Sequence, residues 1–65
     1  MSEFSRYRRV LIVDDERVIS DTLAKIFRNA GYDAEPVYSA EEALALLSHG
    51  DWLPDFAILD VRLQR

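Results

Sequence analysis

The sequence has 65 residues, 49% of them hydrophobic and 31% charged, which is the composition of one small globular domain. It contains no cysteine and one histidine, which excludes disulfides and thiolate metal sites and argues against a zinc site. Twelve acidic residues against eight Lys and Arg give a net charge of -4, so we expect no nucleic-acid partner for this segment. The apolar runs, such as Val10 to Val13, are too short to cross a membrane, and the N-terminus lacks a signal-peptide pattern. We therefore expect a cytoplasmic location and no membrane partner.

The first predicted strand follows a polar segment, residues 1–8, and opens a domain that we place at residues 9–65. Val10 to Val13 is apolar at every position, which is typical of a strand buried on both faces of a parallel sheet. The strand ends abruptly in the acids Asp14 and Asp15.

The first predicted helix runs from about Glu16 to Ala30 and stops at Gly31, a residue that adopts the left-handed conformation cheaply. Its apolar residues recur at three- and four-residue spacing, which predicts one buried stripe. The stripe consists of Ile19, Leu23, Ile26, Phe27 and Ala30.

The second predicted strand, Ala34 to Tyr38, contains Pro36, which lacks an N–H and therefore favours a strand at the edge of the sheet. Ser39 and Glu42 have the spacing of a capping box and open a second helix, about Ala40 to Ser48. We expect Ala43, Leu44 and Leu47 to share the buried face of that helix, and Gly50 to end it.

The third predicted strand, Phe56 to Leu59, is again apolar throughout and is again followed by an acid, Asp60. Alternation of strands and helices predicts an α/β fold with a parallel sheet. Right-handed crossovers with the second strand at an edge give the strand order 2-1-3 and place the two helices on opposite faces. Val13 and Leu59 should then end side by side, at the topological switch point where such sheets bind ligands.

This topology brings Asp14, Asp15 and Asp60 to one edge of the sheet, although 45 positions separate the last two. Carboxylates that lie close together repel one another and need a counter-charge to ionise fully. Oxygen ligands suit hard divalent cations, and Mg²⁺ is held by few carboxylates together with water and phosphate. The pattern therefore predicts a Mg²⁺ site with room for a phosphoryl group.

Several segments resemble the receiver domains of two-component response regulators. Residues 10–16 (VLIVDDE) resemble the opening of such domains, residues 39–44 (SAEEAL) the start of their second helix, and residues 54–63 (PDFAILDVRL) their third strand with its phospho-acceptor. The resemblance spans about residues 9–63 and implies the N-terminal βαβαβ half of a flavodoxin-like fold. It implies that the chain is a phosphorylated signalling domain rather than an enzyme.

The resemblance also assigns roles to residues. Asp60 would accept a phosphoryl group from a sensor histidine kinase or a phosphotransfer protein. Asp60 would also be among the Mg²⁺ ligands, Asp15 would bind Mg²⁺ directly and Asp14 would act partly through water. The backbone carbonyl of Arg62 would complete the protein ligands.

Receiver domains of this family continue to about five strands, and they place a Ser or Thr hydroxyl after the fourth strand and a Lys after the fifth. The only lysine and the only threonine of this sequence, Lys25 and Thr22, lie in the predicted first helix. We therefore expect a truncated domain in which phosphorylation is impaired. Strand three would be a bare apolar edge, and Leu11, Val13, Ile58 and Leu59 would lack part of their cover, which predicts a homodimer or higher oligomer.

Two alternatives remain open. The chain could be a self-associating structural or interaction module whose acidic site is not used. A different Mg²⁺-dependent phosphotransferase with an aspartate nucleophile would need a second acid two residues after Asp60, where this sequence has Arg62.

Overall fold

The computed structural model describes residues 8–60, which form a three-stranded sheet and two helices. In chain order the elements are β1 (Arg9–Asp14), α1 (Arg17–Asn29), β2 (Asp33–Val37), α2 (Ala40–His49) and β3 (Phe56–Asp60). All strand pairs are parallel and the order is β2-β1-β3, so the predicted α/β fold and the 2-1-3 arrangement are confirmed. Within the described part of the chain, no helix is long and apolar enough to cross a membrane.

The hydrophobic core is built on the central strand β1, whose residues Val10 to Val13 are buried on both faces of the sheet as predicted. On one face Val10 and Ile12 pack against Ala24 of α1 and Ala34 of β2. Burial of an aliphatic side chain of this size stabilises a fold by about 1.5–3 kcal/mol, so this strand supplies much of the core.

The second face of β1 forms a separate core cluster under α2. Leu11 and Val13 pack against Val37 and Ala43, with Trp52 from the loop after α2 lying against them. The expectation that Leu11 and Val13 would lack cover is therefore wrong: they are 2% and 4% exposed.

The ends of the helices and the edge strand follow the predicted local rules. The Ser39 hydroxyl accepts a hydrogen bond from the Glu42 amide at 3.1 Å, and the Glu42 carboxylate accepts one from the Tyr38 amide at 2.9 Å. Gly50, which ends α2, has a φ of 79°, in the left-handed region. Pro36 lies in β2, which is an edge strand as predicted.

Three residues that were predicted to be buried are exposed, and these expectations are wrong. Ile26 of α1, Ala30 just after that helix and Leu44 of α2 are all exposed. The side chains of α1 that are fully buried are the small residues Ser20 and Ala24. At the backbone level α1 packs against β1 and β2, and it does not lie over β3. Ile26 projects from a flank of the helix that residues 8–60 leave uncovered.

The third strand is the open edge of the sheet. Within residues 8–60, β3 pairs with β1 alone, and its opposite side has no strand partner. Phe56 is 50% exposed and Leu59 is 66% exposed, whereas Ile58 packs partly against the core on the α1 side. The predicted lack of cover is therefore confirmed for Leu59.

Candidate functional site at the carboxyl edge of the sheet

The ends of the two neighbouring strands β1 and β3 bring two acids into register. Asp14 is the direct Cα partner of Asp60, and Val13 is the partner of Leu59, so the predicted switch point is confirmed. Register partners in a parallel pair point to the same face of the sheet. Asp14 and Asp60 therefore both lie on the face that carries α1.

Asp14 is the buried acid of the site, at 1% exposure. Its Oδ1 accepts a hydrogen bond from the Glu16 backbone N–H at 3.0 Å, which fixes the turn between β1 and α1. Its Oδ2 is buried and has no hydrogen-bond partner. A buried carboxylate oxygen without a partner is costly, and a bound cation or donor at that point would remove the cost.

Asp15 and Asp60 are exposed, in contrast to Asp14. In residues 8–60, no three His, Cys, Asp or Glu side chains are arranged so that together they could hold one metal ion. The structure thus brings the strand ends together without gathering the three carboxylates into a closed cluster. Arg62, whose carbonyl was predicted to complete the ligands, lies outside the described residues.

The chemistry of the donors nevertheless fits a hard cation. The Oδ2 of Asp14, which has no hydrogen-bond partner, is an oxygen ligand of the kind that Mg²⁺ prefers. Asp15 is the next residue in the chain and Asp60 is the register partner of Asp14, so both carry their exposed carboxylates at the same edge. Mg²⁺ keeps several waters in most protein sites, so exposed carboxylates are compatible with it.

Tyr38 makes a junction beside this edge that sequence reasoning did not find. It directly follows β2, and its hydroxyl donates a hydrogen bond to the Asp21 carboxylate at 2.6 Å. The guanidinium of Arg17, the first residue of α1, lies 4.1 Å from the centre of the Tyr38 ring. The hydrogen bond to Asp21 and some loss of hydration raise the pKa of the Tyr38 phenol above its usual 10.0, because both favour the protonated form.

Ser20 is the second residue that sequence reasoning missed, since a serine in a helix gives no pattern of its own. It is completely buried, and its hydroxyl lies 3.2 Å from the carbonyl oxygens of both Ile12 and Val37. It thus connects α1 with two strands next to the acidic edge.

The fold places the acidic edge at the switch point of a doubly wound α/β sheet, where proteins of this class bind their ligands. Residues 10–65 match the response regulator receiver domain, and the chain belongs to that family. Receiver domains accept phosphoryl groups in two-component phosphorelays and work with histidine kinases or phosphotransfer proteins. No solved structure matches this chain.

Proposed function

We propose that this chain accepts a phosphoryl group on Asp60, in a Mg²⁺-dependent transfer from the phosphohistidine of a sensor histidine kinase or phosphotransfer protein. The observation that carries the proposal is the register of Asp60 with Asp14, whose Oδ2 is buried without a partner. The proposal includes a domain at residues 9–65 after a polar segment at 1–8, and a cytoplasmic location.

The reaction would use the side chains at the carboxyl edge in distinct roles. The exposed carboxylate of Asp60 attacks phosphorus in line, the P–N bond to histidine breaks, and the imidazole leaves with its electron pair and takes up a proton. The products are an acyl phosphate on Asp60 and a neutral histidine. Asp14, Asp15 and Asp60 would hold the cation, with the carbonyl of Arg62 as a further ligand. Bound Mg²⁺ would offset the negative charge on the phosphoryl oxygens.

We further propose that these 65 residues on their own accept the phosphoryl group poorly. A cationic side chain that contacts the transferred group normally stabilises the charge of the product. The only lysine, Lys25, is exposed in the interior of α1, and the only threonine, Thr22, lies in the same helix. Neither stands at the end of a strand.

The test is incubation with acetyl phosphate and Mg²⁺, followed by intact-mass and peptide mass spectrometry. We expect a slow gain of one phosphoryl group at Asp60 that requires Mg²⁺ and is lost in Asp60→Asn. Asp51→Asn, which changes an exposed loop acid, is the matched control and should be modified like the parent chain. Mg²⁺-independent modification, or modification that persists in Asp60→Asn, would show that the proposal is wrong.

A second candidate function, self-association, is favoured by the exposed apolar residues of β3. Among residues 8–60 no strand pairs with the opposite side of β3, and unpaired backbone groups at a sheet edge invite a strand from another molecule. Phe56 and Leu59 of β3 are 50% and 66% exposed, and an apolar strand of this kind is complementary to a second copy of itself. We therefore propose a second copy of the chain as the occupant, with the two β3 strands paired about a two-fold axis.

Sedimentation of the 65-residue chain at several concentrations tests this second candidate. We expect a dimer that Leu59→Lys converts to monomer. Leu44→Lys is the matched control, because Leu44 and Leu59 are both 66% exposed and Leu44 lies on α2. A folded monomer across the concentration range would refute self-association and leave phosphoryl transfer as the sole candidate.

A further inference from the structure

Ser20 closes a ring of hydrogen bonds and covalent bonds that includes the carboxylate of Asp14. The Glu16 N–H donates to Asp14 Oδ1 at 3.0 Å, and the Ser20 N–H donates to the Glu16 carbonyl at 3.0 Å. The Ser20 hydroxyl then lies 3.2 Å from the carbonyl of Ile12, which stands two residues before Asp14 in β1. These hydrogen bonds and the covalent chain from Ile12 to Asp14 therefore form a closed ring that begins and ends at Asp14.

The hydroxyl of Ser20 has a second acceptor within reach, which ties the ring to the neighbouring strand. Its oxygen is also 3.2 Å from the carbonyl of Val37, the last residue of β2. A hydroxyl has one proton, so the two carbonyls share it. The start of α1 is thereby attached to the ends of both β1 and β2, and Ser20 has no exposed surface through which water could replace these bonds.

We propose that Ser20 is a positioning residue that sets the orientation of the Asp14 carboxylate, so that Oδ1 stays on the Glu16 amide and Oδ2 is presented to a cation. The inference rests on the function proposed above and adds a residue that acts through Asp14. Without the ring, the Asp14 side chain could rotate about its two torsions. Groups that orient a metal ligand through hydrogen bonds often change metal affinity by about 10–100-fold when they are removed.

The alternative is that Ser20 only contributes to stability, as a buried polar group that must be paired. The two roles differ in what they change. A stabilising bond alters the free energy of unfolding and leaves the Mg²⁺ affinity of the folded protein unchanged. A positioning bond alters the Mg²⁺ affinity of the folded protein and the hydrogen bond between Asp14 and Glu16.

The experiment uses Ser20→Ala, which removes one oxygen and retains the helix hydrogen bond from the residue 20 amide. Ser48→Ala is the matched control, because the Ser48 hydroxyl also bonds to a helix carbonyl, that of Ala45 at 3.0 Å, but is exposed. Urea unfolding without metal gives stability, titration with Mg²⁺ alone gives affinity, and the proton shift of the Glu16 amide in the metal-free protein reports its bond to Asp14.

We expect Ser20→Ala to weaken Mg²⁺ binding about tenfold and to move the Glu16 amide proton upfield, with both readouts unchanged in Ser48→Ala. Ser20→Cys, which restores a weak donor of similar size, should recover part of both effects, and it replaces the alanine variant if that one fails to fold. Unchanged affinity and an unchanged Glu16 shift in Ser20→Ala would overturn the inference. If the parent chain itself does not bind Mg²⁺, the proposed function fails instead, and the Glu16 shift alone decides the role of Ser20.

Discussion

Replacing Asp14 by Asn should make the metal-free protein more stable. The side chain is buried, one oxygen accepts a hydrogen bond from Glu16, and the other has no partner. In Asp14→Asn the amide oxygen can keep the bond from Glu16, and the buried charge disappears. Selection for stability alone would therefore not favour an aspartate at this position.

The expected gain in stability follows from the hydrogen bonding of the two carboxylate oxygens of Asp14. An unpaired buried polar group costs about 1–3 kcal/mol, and a charged one costs more. The new amide N–H₂ of Asn would itself lack a partner, which destabilises the variant by about 1 kcal/mol and reduces the gain by that amount. We expect Asp14→Asn to gain about 1 kcal/mol, or about 4–8 °C in Tm for a domain of this size.

In the presence of Mg²⁺ the parent protein should be more stable than Asp14→Asn, which is the reverse of the order without metal. At a concentration of about 100 times its Kd, a ligand that binds only the folded state adds about 2.7 kcal/mol. The parent chain should gain this stabilisation and Asp14→Asn should not.

Urea unfolding in EDTA and in MgCl₂, at one fixed protein concentration, measures both effects. Asp15→Asn is the control for loss of one charge at the same edge, and because Asp15 is exposed its stability in EDTA should stay within about 0.5 kcal/mol of the parent. A metal-free Asp14→Asn that is less stable than the parent would refute the reasoning, because it would mean that the carboxylate is satisfied in the folded state.

Three further predictions concern Tyr38 and the two ends of α2. Tyr38 should titrate above pH 10 by NMR, and Asp21→Asn should bring its pKa back towards 10; since the folded-state pKa is raised, the stabilisation from this bond is present below pH 10 and is lost as the pH rises through the raised value. Ser39→Ala should lower the free energy of unfolding by about 0.5–2 kcal/mol through loss of the α2 cap, and an unchanged midpoint in urea would contradict that assignment. Gly50→Ala should destabilise the protein by about 1 kcal/mol and Gly50→Asn by less, because residue 50 has a positive φ; equal midpoints for the two variants would count against a conformational cause.

Local sequence rules predicted the secondary-structure elements well where a residue type has one dominant structural role. Pro36 cannot donate a ladder hydrogen bond, so it specified the edge strand. Ser39 and Glu42 specified the start of α2 through bonds that span only a few residues. The unbroken apolar run of β1 specified burial on both faces.

Helix faces were predicted less well, because periodicity gives an apolar stripe but not its width or its centre. The stripe of α1 included Ile26, yet the helix turns Ser20 and Ala24 towards the sheet. Small side chains allow a close approach of helix and sheet, and hydrophobicity patterns give them little weight. The exposure of Ile26 follows from where α1 lies across the strands, which is a tertiary property.

The acidic site was predictable in position and not in detail. The sequence places an acid at the end of each of two buried strands, and the parallel topology brings Asp14 and Asp60 into register. The difference between a buried Asp14 and an exposed Asp15 depends on the turn into α1, which two adjacent aspartates do not reveal. Ser20 and Tyr38 were missed because their partners are backbone carbonyls and side chains distant in sequence.

The one-sided pairing of β3 has a consequence for the order in which the sheet opens. Across residues 8–60 this strand is held at the backbone by β1 alone, so its amides should exchange with deuterium through local opening at a small fraction of the global unfolding free energy. Asp60 is the last residue of that strand. A ligand that bridges Asp14 and Asp60 would add a second connection between β1 and β3, and slower exchange throughout β3 would report its binding.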